Sequence, residues 1–269
     1  MTPFSQQTVL LTGAAGGIGQ ALAKALAQQG ATLALADLDG DGLRRLAAGL
    51  PPDSSIHEID LADSTQLDGL VSDVMETHGE LNLLICNAGL TIHGRFSDLT
   101  PTEIDRILDV DLRGVMHLVS RALPHLQSAS GSHIVLMSSM AGLQSFPFQA
   151  AYSAAKRGLL GFGDALRIEL APHQIGVTTI LPGTISTGFL DHAGDHDRAT
   201  TDRLATLMKR WGTPPQRVAR ATLRAIARNR GRVRVGWDAH ALAATQAILP
   251  PALPLLLSWA AGRKLLGTP

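Results

Sequence analysis

One cysteine, one tyrosine and three tryptophans occur among the 269 residues. A single cysteine excludes an internal disulfide, and no tight cysteine/histidine cluster offers the ligand set of a structural zinc. Cys86 sits in the apolar run "LNLLICNAG" and reads as a small core residue. His192 and His196 are four apart in "DHAGDHD" with no third ligand nearby, so no metal site is expected. The formal net charge is zero, which leaves no electrostatic footprint for nucleic acid. The densest basic run, "RVARATLRAIARNRGRVRV", reads as the solvated face of one helix and the strand after it. The first residues lack the basic start and apolar core of a secretory leader. With the lone cysteine, this points to a reducing, cytoplasmic setting.

Charge is also missing from Ala241 to Gly262, a run long enough to span a bilayer. Pro250, Pro251 and Pro254 interrupt it and would break a single spanning helix. The pattern predicts two short apolar helices bent at Pro250–Pro251. Three roles are open for them: covering the core, packing on another subunit, or lying on a membrane surface.

What is present suits a globular α/β chain. Apolar residues make up 45% and charged residues 17%, enough to build a substantial core. Strand-like runs at 8–13, 31–37, 55–61, 81–89, 132–139 and 176–183 alternate with helical patterns at 18–30, 63–78, 100–126 and 150–173. Strands separated by such helices imply right-handed crossovers and a parallel sheet. Runs that are apolar almost throughout, such as "LNLLI", fit a sheet covered on both faces. The expectation is one doubly wound three-layer α/β/α domain over 1–236, with an apolar extension over 237–269.

Gly13, Gly17 and Gly19 lie between the first strand and the first helix, where glycine lets backbone amides approach a pyrophosphate at a helix N-terminus. Asp37 ends the next strand. A carboxylate there accepts hydrogen bonds from an adenosine ribose diol and repels a 2′-phosphate. Positions 16 and 38 are glycine and leucine, so no basic side chain stands ready for that phosphate. NAD is expected in preference to NADP. The competing reading of Asp37 is a solvated strand-end residue opening a turn at "DLDGDG".

"TGAAGGIG", "CNAG" (86–89), "SSMAG" (138–142), "YSAAK" (152–156) and "LPGTIST" (181–187) occur in this order over residues 5–236. Together they resemble the short-chain dehydrogenase/reductase family, in its small single-domain form. The resemblance implies a Rossmann-like fold, a nicotinamide cofactor, hydride transfer between a carbinol and a carbonyl, and a homodimer or homotetramer. It implies cofactor contacts at Gly13, Gly17, Ile18, Gly19, Asp37, Asp60, Leu61, Asn87, Ala88, Gly89, Tyr152, Lys156, Pro182, Gly183, Ile185 and Thr187.

Tyr152 and Lys156 lie one helical turn apart and so share a face. A free phenol, with a pKa of about 10, is a poor base at neutral pH; a nearby ammonium favours the phenolate. Tyr152 is thus expected as general base in oxidation and general acid in reduction. By resemblance Ser139 orients the substrate oxygen, and Lys156 also holds the nicotinamide ribose. Spacing selects Ser139 over its neighbour Ser138. One departure stands out: where the family has an asparagine that supports a helix bend and a proton-relay water, this chain has Asp111. Ionised aspartate donates no hydrogen bond and puts negative charge near Lys156. Three consequences are open: little change, an upward move of the pH optimum, or impaired catalysis.

In the family a segment such as 186–212 forms a lid. Phe189, Leu190, Leu204, Leu207, Met208 and Trp211 could line an apolar pocket, although Leu204, Leu207 and Met208 equally suit ordinary helix packing. His93 reads as either a substrate-side residue or an exposed loop residue. A medium-sized apolar secondary alcohol or ketone is the expected substrate, steroid-like and alicyclic compounds included. The alternatives are a non-catalytic NAD-binding scaffold and a sugar-nucleotide epimerase or dehydratase on a related fold.

Overall fold

Thr8–Thr12 (β1) is a strand with all five side chains buried. Its alternating residues serve two cores: Val9 and Leu11 belong to one cluster and Leu10 to the other. Period-two alternation can fill both faces only if helices cover both, and they do. The computed structural model describes residues 4–190 and 194–248.

After β1 come α1 (Gly17–Ala27), β2 (Thr32–Asp37), α2 (Gly40–Ala47), β3 (Ser55–Glu58), α3 (Ser64–His78) and β4 (Leu83–Cys86). A two-residue strand β5 (Ile92–His93) leads to α4 (Pro101–Leu108), a π-helical turn (Asp109–Arg113) and α5 (Gly114–Ser128). β6 (His133–Met137), α6 (Met140–Leu143), α7 (Ala150–Glu169) and β7 (Gly176–Pro182) follow. Then come β8 (Gly194–Asp195), α8 (Arg198–Trp211), α9 (Pro215–Ala227), β9 (Arg232–Val235) and α10 (Trp237–Ile248).

The main sheet has seven strands in the order β3-β2-β1-β4-β6-β7-β9. Every pairing is parallel. The chain winds outward from β1 to β3, then restarts beside β1 at β4 and winds the other way. This is a Rossmann-like doubly wound sheet, and the crevice above the β1/β4 reversal is where such sheets bind ligands. Leu22, Leu26, Leu43, Val218 and Leu223 bring α1, α2 and α9 onto one face. Leu67, Leu118 and Leu159 bring α3, α5 and α7 onto the other.

Local differences from the sequence expectation have physical causes. "DLDGDG" continues into α2, because the Asp39 side chain accepts from Gly42 N at 2.8 Å and caps the helix. The helical stretch expected over 100–126 is interrupted at Asp109–Arg113, where the π turn brings the buried Asp111 beside α7. The basic run forms α9 and β9 as expected. No helix among the described residues is long and apolar enough to cross a membrane. The expected bend at Pro250–Pro251 lies outside the described residues.

Candidate active site

The turn after β1 is built around close backbone approaches. Gly13 has φ +63, and a Cβ there would lie 2.6 Å from Ala88 Cα. A Cβ on Gly17 would meet Thr187 Cγ2 at 2.7 Å, and one on Gly19 would meet Gly13 O at 2.0 Å. Asn87 locks β4 to this turn: its Nδ2 donates to Thr12 O at 3.1 Å and Gly13 O at 3.0 Å. Thr12 Oγ1 accepts from Asn87 N and Ala88 N. α1 begins at Gly17 with no side-chain cap, leaving its first-turn N–H groups available to an anion.

Asp37 closes the far side of the turn. Its oxygens accept from Ala15 N at 2.9 Å and Asp39 N at 3.1 Å. A carboxylate has about four lone-pair sites, so acceptor capacity remains toward the cleft that Asp37 lines. Asp60 lines the same cleft, and Arg106 Nη1 donates to its two oxygens at 2.8 and 2.7 Å, with Ala62 N donating at 2.9 Å. Arg106 also lines the cleft and was not foreseen; no local pattern links α4 to a residue 46 positions earlier.

At the other end, Ser139, Tyr152 and Lys156 line the cleft together. Ser139 ends the segment after β6 and caps α6 by accepting from Ala141 N at 3.1 Å. The Ser138 hydroxyl is committed elsewhere, donating to Lys156 O at 2.7 Å. Lys156 Nζ lies 5.6 Å from the Tyr152 ring centroid, donates to Met137 O at 3.2 Å, and sits 2.8 Å from Asp111 Oδ1. Asp111 Oδ2 accepts from Leu90 N at 3.3 Å. Asp111 is fully buried behind Gly89 and does not line the cleft. A Cβ on Gly89 would fall 2.5 Å from Asp111 Oδ1 and 2.9 Å from Lys156 Nζ, so glycine is required over the pair.

Burial sets the electrostatics. It pushes the Tyr152 phenol up; Lys156 works against it, Asp111 adds to it, and a hydrogen bond with Ser139 lowers it again. Burial would pull the Lys156 ammonium down, but Asp111 and Tyr152 together outweigh that and hold it above its ordinary value. The Asp111 carboxyl is raised by burial, with Lys156 opposing. Cys86, at the end of β4, is pushed up to about 12 by burial and is an inert thiol.

The cleft has a volume of about 1220 Å³ and runs from Asp37 past Tyr152 to α8. This exceeds the roughly 300–1,000 Å³ of an ordinary single-ligand pocket. Every residue expected at a cofactor lines it: Gly13, Gly17, Ile18, Gly19, Asp37, Asp60, Leu61, Asn87, Ala88, Gly89, Tyr152, Lys156, Pro182, Gly183, Ile185 and Thr187. Its far end is apolar, walled by Phe146, Phe148, Phe189, Leu190, Leu204 and Met208. Leu207 and Trp211, open to either the pocket or ordinary helix packing, are 54% and 68% exposed; helical spacing instead puts Thr200, Leu204 and Met208 on the cleft side of α8. His93 is buried and lines the cleft, its ring 5.6 Å from that of Phe148. Phe148 has φ +66, a costly conformation for an aromatic residue; its carbonyl accepts from Gly94 N at 3.1 Å. His196 pairs with Glu103 Oε1 at 3.0 Å, while His192 lies outside the described residues. Among the described residues no group of three histidine, cysteine or acidic side chains could hold a metal.

This geometry agrees with comparisons to known proteins. The family model for short chain dehydrogenase matches residues 7–198. The SadH protein of Mycobacterium tuberculosis is 34% identical over 249 residues, covering 90% of each chain. A short-chain dehydrogenase/reductase from Burkholderia phymatum, solved in complex with NAD, superposes with a TM-score of 0.82 at 26% identity, covering 95% of this chain and 97% of that one. A 3-ketoacyl-(acyl-carrier-protein) reductase from Brucella melitensis complexed with NADH gives 0.76 at 25% identity, covering 86% and 97%. With the glycine turn, the doubly wound sheet and the Ser139–Tyr152–Lys156 cluster in place, the chain belongs to the short-chain dehydrogenase/reductase family of oxidoreductases.

Proposed function

We propose that the protein transfers hydride between a secondary alcohol and the corresponding ketone, with NAD as its cofactor and Tyr152 as the proton-transferring group. The observation that carries this reading is the meeting of Ser139, Tyr152 and Lys156 on the wall of one cleft whose other end is a glycine cradle. The cradle fits a dinucleotide. Side chains at positions 13, 17 and 19 would collide with backbone or with Thr187, and α1 offers uncapped N–H groups to a pyrophosphate. When bound, the nicotinamide supplies the hydride acceptor or donor.

The chain's own residues would do the rest. Ser139 Oγ hydrogen-bonds the substrate oxygen and holds it beside the phenol. In oxidation Tyr152 takes the hydroxyl proton as hydride leaves carbon; in reduction it returns that proton to the carbonyl oxygen. Lys156 stabilises the phenolate, and Asp111 is a positioning residue that fixes the Lys156 ammonium from behind. Asp37 favours NAD over NADP, because its carboxylate accepts from a ribose diol and repels a phosphate. The apolar end supports a medium-sized apolar substrate, alicyclic or steroid-like, with His93 as an ionisable contact among apolar walls.

The test is formation of reduced nicotinamide from NAD⁺ or NADP⁺ across a panel of secondary alcohols and hydroxysteroids, with Tyr152→Phe beside wild type. Loss of a general acid–base group lowers kcat by about 10²- to 10⁴-fold. Activity of the variant within tenfold of wild type would remove Tyr152 from the reaction. Measurable NAD⁺ binding with no turnover of any substrate would favour the non-catalytic scaffold.

A further inference from the structure

The far end of the cleft is walled by apolar side chains, yet His93 and Thr200 line it as well. His93 is 4% exposed, and its ring packs 5.6 Å from that of Phe148. Thr200 precedes Leu204 by one turn of α8, so the two share the face turned to the cleft. Asp197 links the two polar residues. Its oxygens accept from Thr200 N at 3.1 Å and from Thr200 Oγ1 at 2.6 Å. Those hydrogen bonds hold its carboxyl below the ordinary value, with His93 and Arg203 acting in the same direction. An acid thus stands within electrostatic reach of the imidazole. The backbone around His93 is fixed from both sides. β5 pairs with β8 in parallel, and His93 O accepts from His196 N at 2.9 Å. Gly94 N donates to Phe148 O at 3.1 Å. A Cβ on Gly94 would lie 3.1 Å from His196 Cβ, so the two segments are in close contact. The chain after β4, the chain before Tyr152 and the chain before α8 therefore meet at this histidine.

In a ligand pocket the few polar groups among apolar walls fix orientation and supply specificity. The cleft has two such stations. The Tyr152 phenol responds to Lys156, Asp111 and Ser139, whereas the imidazole is coupled to Asp197. An imidazole offers an N–H or a lone pair, so it can serve a carbonyl or a hydroxyl oxygen. A carboxylate or phosphate at the same place would face Asp197 and be repelled. We propose that His93 hydrogen-bonds a second, uncharged oxygen of the substrate, a carbonyl or hydroxyl on an apolar skeleton at the end remote from the reacting carbon. The substrate class is then a dioxygenated alicyclic or steroid-like compound, a diketone, hydroxyketone or diol, in place of a simple secondary alcohol. This rests on the reaction proposed above, in which Ser139 and Tyr152 hold the first oxygen.

The test compares three matched probes: a saturated steroid monoketone, the diketone with a second carbonyl at the opposite end of the ring system, and the keto acid with a carboxylate there. With NADH, wild type should favour the diketone over the monoketone by roughly tenfold in kcat/KM, the effect of one hydrogen bond, and the difference should lie in KM. The keto acid should be the poorest of the three. His93→Phe keeps a ring against Phe148 and should bring the diketone down to the level of the monoketone, with kcat unchanged. Thermal melting checks that this variant folds, and His93→Leu repeats the measurement if it does not. Calorimetric binding of the three probes to Tyr152→Phe with NADH reads the same order without turnover. That order intact, with no probe reduced by wild type, would remove the reaction and leave the His93 contact standing. No preference for the diketone in wild type, a preference that survives the His93 variants, or tightest binding of the keto acid would overturn the proposal.

Discussion

Asp111→Asn removes one negative charge from the least solvated part of the site and keeps the side chain's shape. Lys156 Nζ lies 5.6 Å from the Tyr152 ring centroid and 2.8 Å from Asp111 Oδ1; adding the two separations places the carboxylate within about 8 Å of the ring. At an effective dielectric of about 20, Lys156 favours the phenolate by about 3 kcal/mol and Asp111 disfavours it by about 2 kcal/mol. Asp111 thus cancels much of what Lys156 contributes, in the direction that burial already pushes the phenol. Removing the charge makes the phenolate easier to form. The rising limb of kcat/KM for oxidation then moves toward acid by about one to one and a half pH units, each unit being worth about 1.4 kcal/mol. Lys156 loses the attraction that holds its ammonium above its ordinary value, so the upper limb of the profile comes down as well. Met137 O still accepts from Lys156, so the lysine keeps one of its anchors. The assay is initial rate of reduced-nicotinamide formation from mildly acidic to strongly alkaline pH, with thermal melting alongside. A limb that stays in place, or moves toward alkali, in a variant that melts like wild type would refute electrostatic coupling between Asp111 and Tyr152.

Other expectations follow from single contacts. Asp37→Ala removes the acceptor at the end of β2; the ratio of kcat/KM for NAD over NADP should fall at least tenfold, since hydrogen bonds to a charged group are worth about 1.5–3 kcal/mol. An unchanged ratio would mean that the carboxylate does not read the ribose. Gly19→Ala gains about 1 kcal/mol of helix propensity, but its Cβ would sit 2.0 Å from Gly13 O, and backbone there must move. A net loss of about 2 kcal/mol in urea unfolding, with weaker NAD binding by calorimetry, is expected. Burial and the nearby Arg167 hold the His133 imidazole down to about 4, from 6.5. Between those values the unfolded chain binds a proton that the folded chain refuses, so stability falls on acidification by up to about 3 kcal/mol. His133→Gln should flatten that acid-side slope in urea midpoints measured against pH, and a slope equal to wild type would rule the histidine out.

Although the strand order was not legible in the sequence, the strand–helix alternation of a doubly wound domain, the glycine turn and the Tyr152–Lys156 face were. Each depends on local rules: period-two runs make strands, a turn tight enough for backbone contact needs glycine, and residues four apart share a helix face whatever surrounds them. Tertiary structure alone decided how the rest behaves. Asp111 could be flagged as a departure, but its direct pairing with Lys156 depends on a π turn in one helix meeting another 45 residues later. The Asp60–Arg106 pair spans a similar gap and left no local trace. His93 had equal claims to solvent and cleft until its packing on Phe148 buried it. Periodicity placed Leu207 and Trp211 on a helix, yet only the docking of Leu204 and Met208 against the cleft turned the other two outward. Spacing along a chain sets which residues share a face; which face is buried depends on what the rest of the chain brings against it.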